Sequence, residues 1–140
     1  MNKAEYIHLI KRLNIVMNQA IDDILKEYGL ARSQYQVLYY IFNTKNINQK
    51  QIIEKMKIEP ATLSVLVDTL ETKKYIKKNQ IKEDKRSYEL ELTPKGKKLV
   101  TKIKHPGKIV EKVMFKNIDS GHKKLFKSLV ISMTNNLEKK

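Results

Sequence analysis

Apolar side chains recur at steps of three and four through Tyr6, Leu9, Ile10, Leu13, Val16, Met17, Ala20, Ile21, Ile24, Leu25 and Tyr28. That spacing predicts one long amphipathic helix over residues 3–28, ended by Gly29. The stripe is too continuous for a small domain to cover alone. In SQYQVLYYIFN, Ser33 followed by Gln36 reads as a capping box opening a second helix, with Val37, Leu38, Ile41 and Phe42 inward. INQKQIIEKM repeats the device: Asn48 caps, Gln51 stands three residues on, and Ile47 can staple onto Ile52. Pro60 suits the first position of a fourth helix, because the N–H it lacks is unpaired there anyway. Leu63, Leu66, Val67 and Leu70 are its buried side, and Ala61, Thr62, Ser64, Val65, Asp68 and Thr69 are left outside.

Two short helices joined by a tight turn, the second with small residues at its start, match a helix-turn-helix. A helix entering a major groove needs a first turn without bulk, with hydroxyls and methyls able to reach base edges. An ordinary helical hairpin with a solvated face is the other reading of these residues alone. The next segment favours the first. Residues 76–81 and 87–93 read as two strands, the second alternating Tyr88, Leu90 and Leu92 with Ser87, Glu89 and Glu91. Between them runs a dense ionisable tip, Lys82, Glu83, Asp84, Lys85 and Arg86. A hairpin directly after a helix-turn-helix is a wing, and its tip can reach the backbone or the minor groove.

Thr93 caps a further helix whose first residue is Pro94, carried on by Leu99, Val100, Ile103, Ile109, Val110, Val113 and Met114. Pro106 and Gly107 interrupt it, which predicts a linking helix over 94–117 with a kink or break near 105–106. The last helix starts near Ser120, read as its cap, and lines up Leu125, Leu129, Val130, Met133 and Leu137. Two uncovered stripes at opposite ends of the chain predict an intertwined homodimer. Residues 1–30 and 108–140 are its dimerisation helices, with Leu9, Leu13, Val16, Leu125, Leu129 and Met133 at the interface. The expectation is one domain over 1–140, mainly α with a small β-wing, its winged helix-turn-helix lobe spanning 33–96.

Charge then narrows the partners. The chain has 140 residues, a formal net charge of +14 and no cysteine, and a pI near 9.8. So basic a balance points to a polyanion, nucleic acid or an anionic membrane surface. The absence of cysteine excludes disulfides, thiolate zinc sites and thiol redox sensing. An apolar run of about 18 residues is lacking, as is a signal-peptide pattern, so no membrane span and a cytoplasmic location are expected. Nearly all basic residues are lysine, with arginine at Arg12, Arg32 and Arg86.

The ordered set EPATLSVLVDTLETKKYIKKNQIKEDKRSYELELTPKG, residues 59–96, resembles the MarR family of winged-helix transcriptional regulators, and the order of helices around it extends the resemblance over nearly the whole chain. The resemblance implies a dimer formed by the terminal helices, recognition helices in the major groove and wings in the minor groove. It implies DNA contacts from Pro60, Ala61, Thr62, Ser64, Val65, Asp68, Lys82, Lys85 and Arg86, with Asp84 orienting the Arg86 guanidinium. Three positions depart from the family pattern. Lys74 stands where glycine is usual, so a left-handed lysine or a different helix end is expected. Glu59 replaces a small polar cap. Val65 replaces a long polar or basic side chain; it can pack on a thymine methyl, so an AT-rich, palindromic double-stranded operator is expected.

Other chemistry is thin. His8, His105 and His122 lack a histidine or carboxylate at i+3 or i+4, so no metal site is expected, and neither a phosphate loop nor a catalytic constellation indicates an enzyme or a cofactor. The family commonly binds small aromatic or anionic effectors, and Tyr28, Tyr35, Tyr39 and Phe42 are the candidate ligand residues; a tyrosine stripe at helical spacing also reads as core. The favoured function is a sequence-specific DNA-binding regulator, a repressor released by an effector. A non-specific architectural or RNA-binding protein is the alternative. A membrane-surface protein is a third class, but Lys3, Lys11, Arg12 and Lys26 give the first helix only a modest basic face.

Overall fold

A computed structural model describes residues 4–81 and 83–139, with residues 84–87 described in their backbone only. The elements run α1 (Glu5–Lys26), α2 (Arg32–Asn43), α3 (Gln49–Met56), α4 (Pro60–Thr72), β1 (Ile76–Ile81), β2 (Asp84–Leu92), α5 (Pro94–Lys102), α6 (Pro106–Met114) and α7 (Ser120–Glu138). The fold is mainly helical with one two-stranded antiparallel sheet. The chain divides into two compact units, Met1–Pro106 and Gly107–Lys140.

In the first unit a core of Leu25, Val37, Leu38, Ile47, Ile52, Leu63, Val67, Leu70, Ile76, Leu90 and Leu92 joins α1, α2, α3, α4 and the sheet. Burying these side chains supplies the main driving force, about 1.5–3 kcal/mol for each large aliphatic one. Helix α1 reaches this core only through its last turns. Gly29 takes a left-handed φ of 68°, and Leu30 donates back to the Leu25 carbonyl at 3.3 Å, closing the helix.

The α2 start differs from the Ser33–Gln36 box. Gln34 accepts from the Ala31 N–H at 3.0 Å, and alanine offers no acceptor in return, so only half a capping box forms, two residues early. Val37, Leu38 and Ile41 are buried as expected, but Phe42, in the last turn of the helix, is 49 % exposed, and Tyr35 is buried at 8 %. At α3 the predicted box is complete: Gln51 N–H donates to Asn48 Oδ1 at 2.8 Å, and Asn48 N–H to Gln51 Oε1 at 2.9 Å.

Strand β1 has the predicted bounds, and β2 begins earlier than predicted, at Asp84. Ile76 pairs with Leu92 and Lys78 with Leu90, and the register shifts between Gln80 and Ile81, where the hairpin narrows to its tip. The Leu90 N–H also reaches the Ile47 carbonyl at 2.8 Å, which ties the wing to the entrance of α3.

The helix expected to kink or break near residues 105–106 is broken there: α5 stops at Lys102, Ile103 is extended, and α6 restarts at Pro106. In the second unit, α7 is capped by Asp119, whose carboxylate accepts the His122 N–H at 2.9 Å. Ser120 is therefore the first helical residue and not the cap. Phe115 and Phe126 meet edge to face at 5.7 Å.

Candidate nucleic-acid interface

Helix α4 owes its start to Pro60 and its seating to Leu63, Val67 and Leu70, all buried. Glu59 sits at the N-cap without a capping hydrogen bond from its side chain. The opposite face is small and open: Pro60, Ala61, Thr62, Ser64, Val65 and Asp68 are exposed, and Val65 is 66 % accessible despite being apolar. Ala61, Val65 and Asp68 follow at i, i+4 and i+7, hence on one face of the helix. Thr69 is half-turned in, its hydroxyl donating to the Val65 carbonyl at 2.9 Å.

Asp68 does not present a bare charge. Lys78 on β1 donates to its carboxylate at 3.2 Å, and the same ammonium lies 3.7 Å from Glu71 and 5.7 Å from the Tyr88 ring centre on β2. The hydrogen bond to Asp68 raises the Lys78 pKa above the ordinary lysine value, and Glu71 adds to the rise against the opposing effect of partial burial. The sequence reading missed Lys78. Its signal was present: it follows Ile76 by two residues, so it occupies an inward position of the strand.

The wing is anchored at its base by the TPKG turn. The Thr93 N–H donates to the Tyr75 carbonyl at 3.0 Å, and its hydroxyl donates to the Lys74 carbonyl at 2.6 Å while accepting the Gly96 N–H at 3.0 Å. Lys95 reaches the Lys73 carbonyl at 3.1 Å and lies over the Tyr75 ring at 4.9 Å. Lys74 is left-handed, with φ 65°, as its place in the family pattern predicts. Of the tip, Lys82 lies outside the described residues, as do the side chains of Asp84, Lys85 and Arg86 and hence the expected Asp84–Arg86 pair. Their backbone opens β2 at the end of the hairpin far from Leu92.

The four candidate ligand residues separate. Tyr35 joins the core, and burial followed by the neighbouring Tyr39 pushes its phenol pKa up. Tyr28 and Tyr39 are half-buried against the same core, and Tyr39 meets His105 edge-on at 5.0 Å. Phe42 lines a cleft of about 590 Å³ with Asn43, Asn79, Glu89, Glu91 and Lys97. That cleft and one of about 640 Å³ beside Asp22, Lys26 and Arg32 both lack the three tyrosines. Of the expected interface residues, Leu9, Leu13 and Val16 are 43–58 % exposed on α1, and Leu125, Leu129 and Met133 are 45–54 % exposed on α7. Among the described residues no group of three or more His, Cys, Asp or Glu could hold a metal, and no helix is long and apolar enough to cross a membrane.

Comparison with known proteins gives the arrangement a lineage. The MarR family model matches residues 30–88, from the end of the α1 turn into β2. The HTH-type transcriptional regulator SarZ of Staphylococcus epidermidis is 36 % identical over 75 residues, 54 % of this chain and 51 % of that protein. The chain thus spans about half the length of the curated relatives it matches. A MarR transcriptional regulator from Methanosarcina mazei superposes with a TM-score of 0.80 at 26 % identity, covering 96 % of this chain and 98 % of the other. The S. aureus MepR–DNA complex shares the fold with a TM-score of 0.86 at 22 % identity, covering 94 % and 97 %. The helix-turn-helix and wing thus match the MarR family model over residues 30–88, and the fold is shared end to end with a regulator of that name.

Proposed function

We propose that the protein is a transcriptional regulator, not an enzyme, that binds double-stranded DNA sequence-specifically as a homodimer and acts as a repressor. The observation that carries the reading is the α4 surface: a proline-started helix whose open face is Ala61, Thr62, Ser64 and Val65, followed directly by a hairpin with a basic tip, in a chain of net charge +14. Bulk-free first turns admit the groove floor, and Val65 suits a thymine methyl, which favours an AT-rich operator. The likeness to a protein solved with DNA supports the same reading.

Dimerisation is argued from the apolar residues left bare on α1 and, separately, on α7, each a stripe that a partner chain would cover. Two recognition helices then read half-sites about one helical turn apart, roughly 34–36 Å. Light scattering at micromolar concentration is expected to give a dimer; a stable folded monomer contradicts the arrangement. Selecting bound fragments from random DNA is the test of function. A palindrome with fixed half-site spacing is the expected result, whereas equal binding to random duplex makes the protein architectural. A small aromatic or anionic effector bound near Tyr39 and Phe42 would release the operator, and by linkage DNA would weaken effector binding by the same factor. A ligand panel that shifts neither melting temperature nor DNA affinity removes the effector from the scheme.

A further inference from the structure

Lys78 occupies an inward position of β1. Period-two alternation puts it on the same side as Ile76, which is 2 % exposed in the core. Where the core ends, a lysine replaces the apolar residue such a position usually carries. Its side chain is only 27 % exposed, and its ammonium contacts Asp68 at 3.2 Å and Glu71 at 3.7 Å while lying over Tyr88. One cation carried on β1 therefore meets both α4 and β2.

We infer that Lys78 is a positioning residue for DNA reading: it ties the recognition helix to the wing through Asp68 and Glu71 and offsets part of their charge where phosphates approach. The inference rests on the function proposed above. Asp68 shares its helix face with Ala61 and Val65, so without Lys78 a bare carboxylate stands among the groups offered to the groove. Glu71 adds a second one turn along. Rotation of α4 about its axis would also misplace Thr62 and Val65, and the Lys78 link joins that helix to the hairpin that must dock beside it. Partly exposed ion pairs contribute little to folding, so the effect belongs mainly to DNA binding.

The experiment measures affinity for a selected operator and for scrambled duplex, at two salt concentrations, with four variants. Lys78→Met is expected to bind the operator about tenfold more weakly, with Lys78→Arg within about threefold of wild type. Asp68→Asn/Glu71→Gln, which keeps the cation but breaks the link, is expected to bind scrambled duplex more tightly and to lose roughly threefold or more of its preference for the operator. Adding Lys78→Met to that pair should bring scrambled-duplex affinity about halfway back toward the wild-type level without restoring preference. Unchanged preference in Asp68→Asn/Glu71→Gln overturns the inference, and that variant stays informative even where Lys78→Met fails to fold. A Lys78→Met protein whose salt slope falls by about 1 and whose affinity the carboxylate changes do not recover makes Lys78 a phosphate contact instead, which also overturns it. A wild-type protein that prefers no selected duplex defeats the functional reading separately, before any variant is compared.

Discussion

Gly96→Ala puts one methyl where the return from β2 closes on the turn between α4 and β1. A Cβ at Gly96 would lie 2.1 Å from the Tyr75 carbonyl oxygen and 3.0 Å from its carbon. Both atoms are backbone, so no side chain can swing aside. Reaching ordinary contact at about 3.4 Å requires the two segments to part by roughly 1.3 Å. That movement opens the Thr93 N–H bond to Tyr75, now 3.0 Å, and strains the Thr93 hydroxyl bond to Lys74 at 2.6 Å. Overpacking costs about 1–3 kcal/mol and a lost hydrogen bond about 0.5–1.5 kcal/mol, while the better helix propensity of alanine returns up to about 1 kcal/mol. The net expectation is a destabilisation of roughly 2–3 kcal/mol, which for a chain of this size lowers the melting temperature by about 6–12 °C.

The assay is thermal denaturation followed by circular dichroism at one fixed protein concentration, because the midpoint of a dimer moves with concentration. Gly121→Ala is the control. There the new Cβ meets only the Asp119 Oδ1 atom, at 3.2 Å, so a shift within about 2 °C of wild type is expected from a flexible neighbour and a small propensity gain. A Gly96→Ala midpoint within about 1 °C of wild type would falsify the steric argument. It would mean that the TPKG turn and residues 73–75 are not held together as described.

Three other outcomes can be checked. Lys74→Gly should raise stability by about 0.5–1 kcal/mol in urea titration, because lysine is held at a left-handed φ of 65° that glycine adopts without strain. Asp119 has its pKa lowered, chiefly by the His122 backbone N–H and then by the His122 ring; its stabilisation is present above the unfolded value of about 3.9 and is lost as pH falls through the lower folded value. Melting of Asp119→Asn between about pH 5 and pH 2 should accordingly be flatter than wild type, and parallel curves would show that the cap contributes nothing. On DNA, Lys85→Ala should weaken operator and random duplex alike and lower the salt slope by about 1, Arg86→Ala should lose on the order of 1–3 kcal/mol mainly on narrow AT-rich grooves, and Thr62→Ala should alter base preference more than salt dependence. Unaltered affinity in all three leaves the hairpin a solvated turn.

The features legible in the sequence are those whose partners lie within one turn of chain. Asn48 and Gln51 are three residues apart and form the expected reciprocal cap. Pro60, Thr93 with Pro94, and Gly29 mark helix ends because their own backbone chemistry decides the matter. The alternation of Leu90 and Leu92 with Glu91 gave the strand and its buried side. Cap competition was harder to read. Ser33 and Gln36 have capping-box spacing, yet Gln34 reaches Ala31 first; Asp119 likewise outbids Ser120. Each competing pair is equally local, so spacing alone does not rank them.

The candidate site also depends on contacts that no local period announces. Lys78 meets Asp68 across ten positions of chain, Thr93 meets Lys74 across 19 and Lys95 meets Lys73 across 22. The first spans the turn from α4 into β1, and the other two span the return from β2, so those two require the hairpin to form before their partners are near. These are also the contacts that set α4 against the hairpin. Local signals suffice to specify an α4 with an open, small-residue face, but a helix with that face could be presented at many angles. The angle is held by backbone bonds at Tyr75 and by one lysine shared between two acidic residues. Substitutions that spare every groove-facing side chain are therefore expected to alter DNA selectivity when they fall at Lys78 or Gly96, and the same changes in the open face of α4 should alter which bases are chosen rather than how well the two reading elements are aligned.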